Sequence, residues 1–294
     1  MNIFFSINNN YVTQLAVVII SILENNKNSR ICFFVLSSDL EKNNKEKLQR
    51  LVQKYDSRIQ FISISDSRIK DAKLNISYIT KEAYYRFFIP EHCKDDKCLY
   101  LDADIIVNGN ITNLFSSEFQ NEYVAACRDL FIEKSLYKYT LGMGKSNVYF
   151  NSGVLLMNVH QLKNDKITHL LLSNMARYKD RIEYLDQDIL NITFEGRVKE
   201  LDSVYNYTTT NLVEEKNKKR IAKIIHYTGK DKPWNAYHEC RLAYLWMYYF
   251  SLLDKKDFNN KYSTMTIYLS RLKYMLYKLK SEFVFRLFER IFKL

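Results

Sequence analysis

The sequence predicts an α/β fold: a Rossmann-like, mainly parallel sheet in one domain, with amphipathic helices at the C-terminus. Three observations predict it. Short apolar runs alternate with helix-length segments through the first hundred residues, the pattern of a parallel sheet with helical crossovers. The 294-residue chain is 47% hydrophobic and 15% aromatic, enough for a sizeable core. Only two prolines and six glycines occur, and no Pro- or Ser-rich linker interrupts the chain.

In order, NIFFSI (2–7) reads as a short strand ending in the polar turn NNN. YVTQLAVVIISILENN (11–26) reads as a helix, apolar nearly all round and therefore buried. ICFFVLS (31–37) is a second buried strand. SDLEKNNKEKLQRLVQKY follows as a helix with Ser38 or Asp39 at its N-cap. RIQFISI (58–64) is the third strand, YITKEAYYRFFIPEH a helix stopped by Pro90, and CLYLD the fourth strand. The second half is less regular. NVYFNSGVLLMNV (147–159) contains strand-like runs, and YLDQDILNITF (184–194) is a helix with acids in its first turn. IAKIIHYTGKDKPW (221–234) is a strand entering a polar loop, and 238–250 and 264–294 are helical. The expected organisation is a domain over 1–250 and a helical tail over 251–294.

No apolar run reaches the 18 residues of a membrane span. The apolar start has no basic leader or small-residue cleavage site, so it reads as strand, turn and helix rather than signal peptide. Five cysteines, an odd number without metal spacing, suit a reducing cytoplasm. HCKDDKC (92–98) has no second pair and reads as free thiols. Sequons at Asn75, Asn110, Asn191 and Asn206 reflect an Asn-rich composition.

The net charge is +11, unevenly spread: residues 251–294 hold ten Lys/Arg against four Asp/Glu. A chain-wide nucleic-acid surface is disfavoured, because the charge is concentrated in a tail that also carries an apolar stripe and no recognised binding motif occurs. The stripe is Leu272, Leu276, Leu279, Phe283, Leu287 and Ile291, at helical spacing. With seven Lys/Arg and seven aromatics over 264–294, it reads as a helix lying on an anionic membrane surface. The alternative is a helix packed on the domain.

Within CLYLDADIIVN (98–108), two aspartates interrupt an apolar run. Ionised carboxylates are costly to bury unpartnered, so they mark the strand's exit. On an extended segment residues i and i+2 share a face, so Asp102 and Asp104 approach one cation while Ala103 points away. In HYTGKDKPW, His226 ends an apolar strand, Gly229 permits close backbone approach, Lys230 and Lys232 offer cations, and Trp234 offers a flat wall. A histidine with two carboxylates suits Mn²⁺, with Mg²⁺ an alternative. Both SINNN and DAD fall at carboxyl ends of strands, where ligands bind in such sheets. Asp186 and Asp188 both sit in a first helical turn, where acids favour the helix dipole. Their i, i+2 spacing sends them to different faces, with Asp186 the functional one.

Six segments, SINNNY, AYYRFFIP, YLDADIIV, YFNSGVLLMN, YLDQDILN and HYTGKDKPW, occur in an order that resembles glycosyltransferase family eight, the bacterial retaining lipopolysaccharide galactosyl- and glucosyltransferases and glycogenin. The likeness runs from residue 2 to about 240. It implies a GT-A-type domain transferring a hexose from a UDP-sugar, UDP-galactose or UDP-glucose, to an oligosaccharide or glycolipid such as lipopolysaccharide core. By resemblance, Asp102, Asp104 and His226 would hold the metal between the phosphates. Ser6, Ile7, Asn8 and Asn10 would meet the uridine, with Ala103 also in the donor site, and Gly229 and Lys232 would bind phosphate. Arg86, Asn151, Asp186 and Gln187 would surround the donor hexose, with Gln187 and Asp186 nearest the chemistry and Asp129 by the sugar or acceptor. Asn8 departs from the aspartate common in relatives; an amide can still pair with the base. A glycogenin-like self-glucosylating enzyme is the alternative. The implied location is cytoplasmic, peripheral on the inner face of the cell membrane.

Overall fold

The computed structural model describes the chain apart from residues 71, 77–79, 215–221, 236–239, 259–261 and 279–294. The first four predicted strands form: β1 (Asn2–Ser6), β2 (Cys32–Ser37), β3 (Arg58–Ser63) and β4 (Lys97–Leu101). They pair in parallel in the order β3-β2-β1-β4. A sharp turn then leads into β5 (Ile105–Val107), which leaves this sheet. β6 (Val124–Arg128), β7 (Phe150–Asn158) and β8 (Val198–Glu200) complete a seven-stranded order β3-β2-β1-β4-β7-β6-β8. Only β7 runs against the others, so the sheet is mainly parallel as expected. β5 instead joins β9 (Tyr207–Thr208) and β10 (Ile224–His226) in a three-stranded sheet, order β5-β10-β9.

Both faces of the sheet are covered at its centre, which is why the inner strands read as largely apolar runs, while the edge strands β3 and β8 carry polar residues. Successive residues of a strand point to opposite faces. Ile3, Phe5, Leu99, Leu101, Val154 and Leu156 accordingly fall in one buried cluster, and Phe4, Cys98, Tyr100, Leu155 and Met157 in the other. Helix α1 (Val12–Asn25) lies in the first cluster and is buried on nearly all sides, as its composition predicts. Helix α2 (Lys42–Gln53) buries only Leu48, Leu51 and Val52.

Two local expectations are corrected. Helix α2 begins at Lys42, with Glu41 rather than Ser38 or Asp39 at its N-cap. No side chain caps α2; instead a tertiary contact fixes its entry, the Glu41 N–H donating to Asn9 Oδ1 (2.9 Å), while Ser38 donates to Asp39 Oδ1 (3.1 Å). The YYRF segment is a 3-10 run, Lys81–Phe88, that continues as a short helix, Ile89–His92. Pro90 lies in the first turn of that helix, where its missing N–H goes unneeded, and so does not stop it.

The later helices that bear on the site and the tail are α3 (Leu130–Glu133), α4 (Ile167–Tyr178), α5 (Leu185–Thr193), α6 (Ala243–Phe250) and α7 (Thr264–Lys278). The described part of the tail packs on the domain. Tyr274 of α7 stacks on Tyr248 of α6, ring centroids 3.5 Å apart, and Arg271 bonds to Ser251. Its outer face exposes Met265, Tyr268 and Met275. Leu272 and Leu276 are partly buried, whereas Leu279, Phe283, Leu287 and Ile291 lie outside the described residues. Among the described residues no helix is long and apolar enough to cross a membrane. All five cysteines are free thiols. Asn191 and Asn206 are buried, so neither sequon is open to glycosylation.

Candidate active site

A cavity of about 510 Å³ opens beyond the C-terminal ends of β1 and β4. Ser6, Ile7, Asn8, Arg86, Asp102, Ala103, Asp104, Asp129, Asn151, Asp186, Gln187, His226, Gly229 and Lys232 line it. Of the expected donor-binding residues only Asn10 is absent from the wall; its side chain is exposed, while its N–H donates to Asn8 Oδ1 (3.0 Å).

Topology assembles the acid–histidine cluster. Asp102, Ala103 and Asp104 form the turn between β4 and β5, and so bridge the two sheets. β10 runs antiparallel to β5 with His226 opposite Ile105, which brings the ring beside Asp104. The Asp102 N–H donates to Gly153 O (2.9 Å), which fixes the turn against β7. The two acids converge through a turn, not through the alternation of an extended strand, and Ala103 faces the cavity instead of pointing away. A side chain at Gly153 cannot fit: its Cβ would stand 2.2 Å from His226 Cε1 and 2.8 Å from Asp102 Oδ2.

Each member of the cluster has one atom committed and one left over. Asp102 Oδ1 accepts from the Tyr100 hydroxyl (2.7 Å) and Arg86 Nη2 (3.0 Å). Asp104 Oδ2 accepts from Lys232 Nζ (2.5 Å), leaving its buried Oδ1 without a hydrogen-bond donor. His226 Nδ1 meets Asn206 Oδ1 (3.0 Å). His226 Nε2 lies 3.1 Å from Asp104 Oδ1 and 3.8 Å from Asp102 Oδ2. Burial pushes the Asp104 carboxyl up, but the Lys232 ammonium outweighs it and holds the group well below the usual range, hence ionised. One ligand atom from each residue lies within 4.8 Å of the other two. Two carboxylate oxygens, one of them orphaned, and a ring nitrogen form a donor set that fits a divalent cation.

Arg86, buried in the 3-10 run, organises the wall. Its Nη1 donates to Ser152 O (2.5 Å), its Nε to Ala83 O (2.8 Å), and its guanidinium lies 4.3 Å over the Tyr100 ring. Asp186 Oδ2 sits 3.1 Å from that Nε, yet the N–H points at Ala83, so this buried oxygen also has no donor. Burial pushes the Asp186 carboxyl up to about 6, with Arg86 opposing and Asp102 adding to the rise. Leu185, in the left-handed region (φ 54°), turns the chain so that Asp186 and Gln187 face the cavity. Asp188 points the other way, into bonds from the Tyr137 and Tyr149 hydroxyls and the N–H groups of Glu183 and Tyr184.

Gln187 Oε1 accepts from the Ser152 N–H (3.0 Å), while its Nε2 donates to Asp129 Oδ2 (3.3 Å). Asp129 holds this wall together: Oδ2 also accepts from Asn151 Nδ2 (3.1 Å), and Oδ1 caps α3 at Phe131 and Ile132.

Several wall residues gave no usable signal in the sequence. Glu82 is buried and accepts from Asn8 Nδ2 (3.3 Å). Thr208 and Thr209 reach the cavity because β9 pairs with β10, and Thr209 bonds to Thr228 (2.8 Å). Phe131 lies at the mouth, 61% exposed. Lys230 is exposed, and Trp234 packs between Tyr11 and Trp246 instead of forming a wall.

The family model for glycosyl transferase family 8 matches residues 2–238. A lipopolysaccharide 1,2-glucosyltransferase of Escherichia coli is 34% identical over 250 residues, 80% of this chain and 73% of that protein. Glycosyltransferase GlyF of Streptococcus pneumoniae is 32% identical over 254 residues, 84% of this chain but 61% of GlyF. Among solved structures, the galactosyltransferase LgtC in complex with donor and acceptor sugar analogues superposes with a TM-score of 0.81 at 29% identity, covering 86% of this chain and 96% of LgtC. Another LgtC structure is of an active-site glutamine-to-glutamate variant.

Proposed function

The chain belongs to glycosyl transferase family 8, and from that premise we propose a retaining, divalent-metal-dependent transferase that moves galactose or glucose from a UDP-sugar to a cell-surface oligosaccharide or glycolipid. One observation carries the proposal. Asp102 Oδ2, Asp104 Oδ1 and His226 Nε2 converge on one point beside a buried lysine, in a cavity at the strand ends. An aqueous protein surface has no need of such an arrangement. A diphosphate with a cation does.

In this reading Asp102, Asp104 and His226 hold the ion, preferably Mn²⁺. When bound, the ion neutralises charge that develops on the departing diphosphate. Lys232 adds a second positive charge at the same place, pre-oriented by Asp104 and the Tyr227 carbonyl (2.6 Å). Ser6, Ile7 and Asn8 face the uridine, and Gly229, in the left-handed region (φ 84°), brings backbone to the phosphates. The orphaned Asp186 oxygen accepts a hydroxyl of the hexose. Arg86 and Asn151 hold the same wall, and the Gln187 amide lies nearest the reacting carbon. A glutamine at the active site of LgtC supports that last role. An amide is a poor nucleophile, which favours attack on the face the diphosphate leaves. The sugar–phosphate bond breaks, the acceptor oxygen bonds to the same carbon, and the departing phosphate oxygen takes the acceptor's proton.

The tail over 251–294 is proposed to hold the enzyme on an anionic membrane, because α7 exposes Met265, Tyr268 and Met275 within a basic segment. Salt-sensitive binding of the full chain to anionic liposomes tests this, and equal binding after removal of residues 264–294 would place the contact elsewhere.

Slow hydrolysis of a panel of UDP-sugars without acceptor tests the function and names the donor. UDP release from UDP-galactose or UDP-glucose is expected with Mn²⁺ and not in EDTA. Full turnover in EDTA would overturn the metal-dependent reading.

A further inference from the structure

Asn206 stands behind the proposed ion site, 2% exposed, in the loop that enters β9. Its amide joins two groups that matter: Oδ1 faces His226 Nδ1 (3.0 Å), and Nδ2 faces Asn151 Oδ1 (2.8 Å). Two fixed points decide which way round these amides lie. Asn151 accepts from the Gly153 backbone N–H (3.1 Å), and a backbone N–H only donates, so that atom is Oδ1. Its other end faces the Asp129 carboxylate (3.1 Å), which only accepts when ionised, so that atom is Nδ2. Asn206 must then present Nδ2 to Asn151, and its oxygen is left facing the histidine. An oxygen there requires a proton on His226 Nδ1, which leaves Nε2 as the nitrogen turned toward Asp102 and Asp104.

We propose that Asn206 is a positioning residue: it fixes the proton of His226 on Nδ1 and so presents Nε2 to the two aspartates. The inference rests on the metal reading above and adds a residue to it. Histidines that bind metals characteristically donate their other N–H to a neighbouring acceptor, and loss of that acceptor weakens affinity about 10- to 100-fold. The ring fills the space that Gly153 leaves by lacking a Cβ, so its place is set by the strands and its tautomer by Asn206.

The test uses the full chain, stripped of metal. Long-range proton–nitrogen correlation spectra near pH 8 report which nitrogen of His226 carries the proton, and free Mn²⁺ measured by electron paramagnetic resonance reports affinity. Wild type is expected to show Nδ1–H. Asn206→Ala is expected to lose that single tautomer and to bind Mn²⁺ about 10- to 100-fold more weakly. Asn206→Asp keeps an acceptor facing Nδ1 but sets a second oxygen against Asn151 Oδ1, so it should retain the proton on Nδ1 and bind Mn²⁺ more tightly than Asn206→Ala, at a cost in thermal stability. Wild type with no proton on Nδ1 overturns the proposal even where Asn206→Ala does not fold. Unchanged affinity and tautomer in a folded Asn206→Ala also overturns it. Nδ1–H in a wild type that binds no Mn²⁺ would overturn the metal reading while upholding the hold of Asn206 on the ring.

Discussion

Asp102 and Asp104 flank a turn between two sheets and both reach the cavity, whereas Asp186 and Asp188, spaced the same way, begin helix α5 and part company. In the first pair each carboxylate keeps an oxygen uncommitted, and those oxygens face one histidine nitrogen. In the second pair Asp186 keeps a buried oxygen without a donor, while Asp188 is bonded by two hydroxyls and two backbone N–H groups. The same Asp-x-Asp spelling therefore yields a converging pair of carboxylates in one place and, in the other, one acid facing the cavity and one anchoring the fold. The backbone decides, since a turn can aim i and i+2 at one point and a helix separates them by roughly 200°.

The largest effect belongs to the first pair. Asp102→Ala or Asp104→Ala should lower transfer by about 10³-fold or more, the scale on which transition-state charge stabilisation is lost. Thermal melting should fall as well, because Asp102→Ala leaves the buried Arg86 and Asp104→Ala the buried Lys232 without its paired carboxylate, so the rates are compared well below both melting points. A near-normal rate in either variant breaks the comparison at its first term.

Next comes Asp188→Ala, which should destabilise the fold by about 3 kcal/mol, since it removes the acceptor shared by two hydroxyls, that of Tyr149 buried, and two backbone N–H groups. Urea unfolding measures this. Mn²⁺ affinity of the folded fraction should be unchanged, and a loss there would mean that both triplets serve the ion.

Asp186 sharpens the contrast through pH. Its carboxyl is pushed up to about 6 in the folded protein, from 3.8 ordinarily. Between those values the folded state holds the proton that the unfolded state has lost, so stability falls as pH rises through the window and the cost is complete above about 6. Asp186→Asn should therefore stabilise the donor-free protein by about 2–3 kcal/mol at pH 7.5 and by nothing below about pH 4. Equal melting shifts at both ends would show that Arg86 keeps the carboxylate ionised throughout.

The parts of the molecule that were legible in the sequence share a cause. A polar residue at the end of an apolar strand announces itself, and this exposed Asn8, Asp102, Asp104 and His226 without any knowledge of the fold. The inner strands β1, β2 and β4 were legible because the sheet is covered on both faces there, which makes each a short, largely apolar run. Illegible residues owe their place to pairings far apart in the chain. Thr208, Thr209 and Asn206 reach the site only because β9 lies beside β10, and Glu82 only because the 3-10 run passes under Asn8. Asn206 carried a glycosylation spelling that its burial excludes. The N-cap of α2 was misplaced for the same reason, as the distant Asn9 side chain holds the Glu41 N–H and the helix starts after Glu41, beyond Ser38 and Asp39. Trp234 looked like a wall from its place in HYTGKDKPW, but its ring is used up against Tyr11 and Trp246.

The central claim is that the Asp102–Asp104 turn and His226 hold a divalent ion at the donor phosphates. Anomalous diffraction at the manganese edge, from crystals of the full chain grown with Mn²⁺ and UDP, addresses it most directly. The account predicts one strong peak within about 2.0–2.4 Å of Asp102 Oδ2, Asp104 Oδ1 and His226 Nε2 and in contact with the diphosphate. A peak elsewhere in the cavity, or bound UDP with no peak at those three atoms, would contradict it.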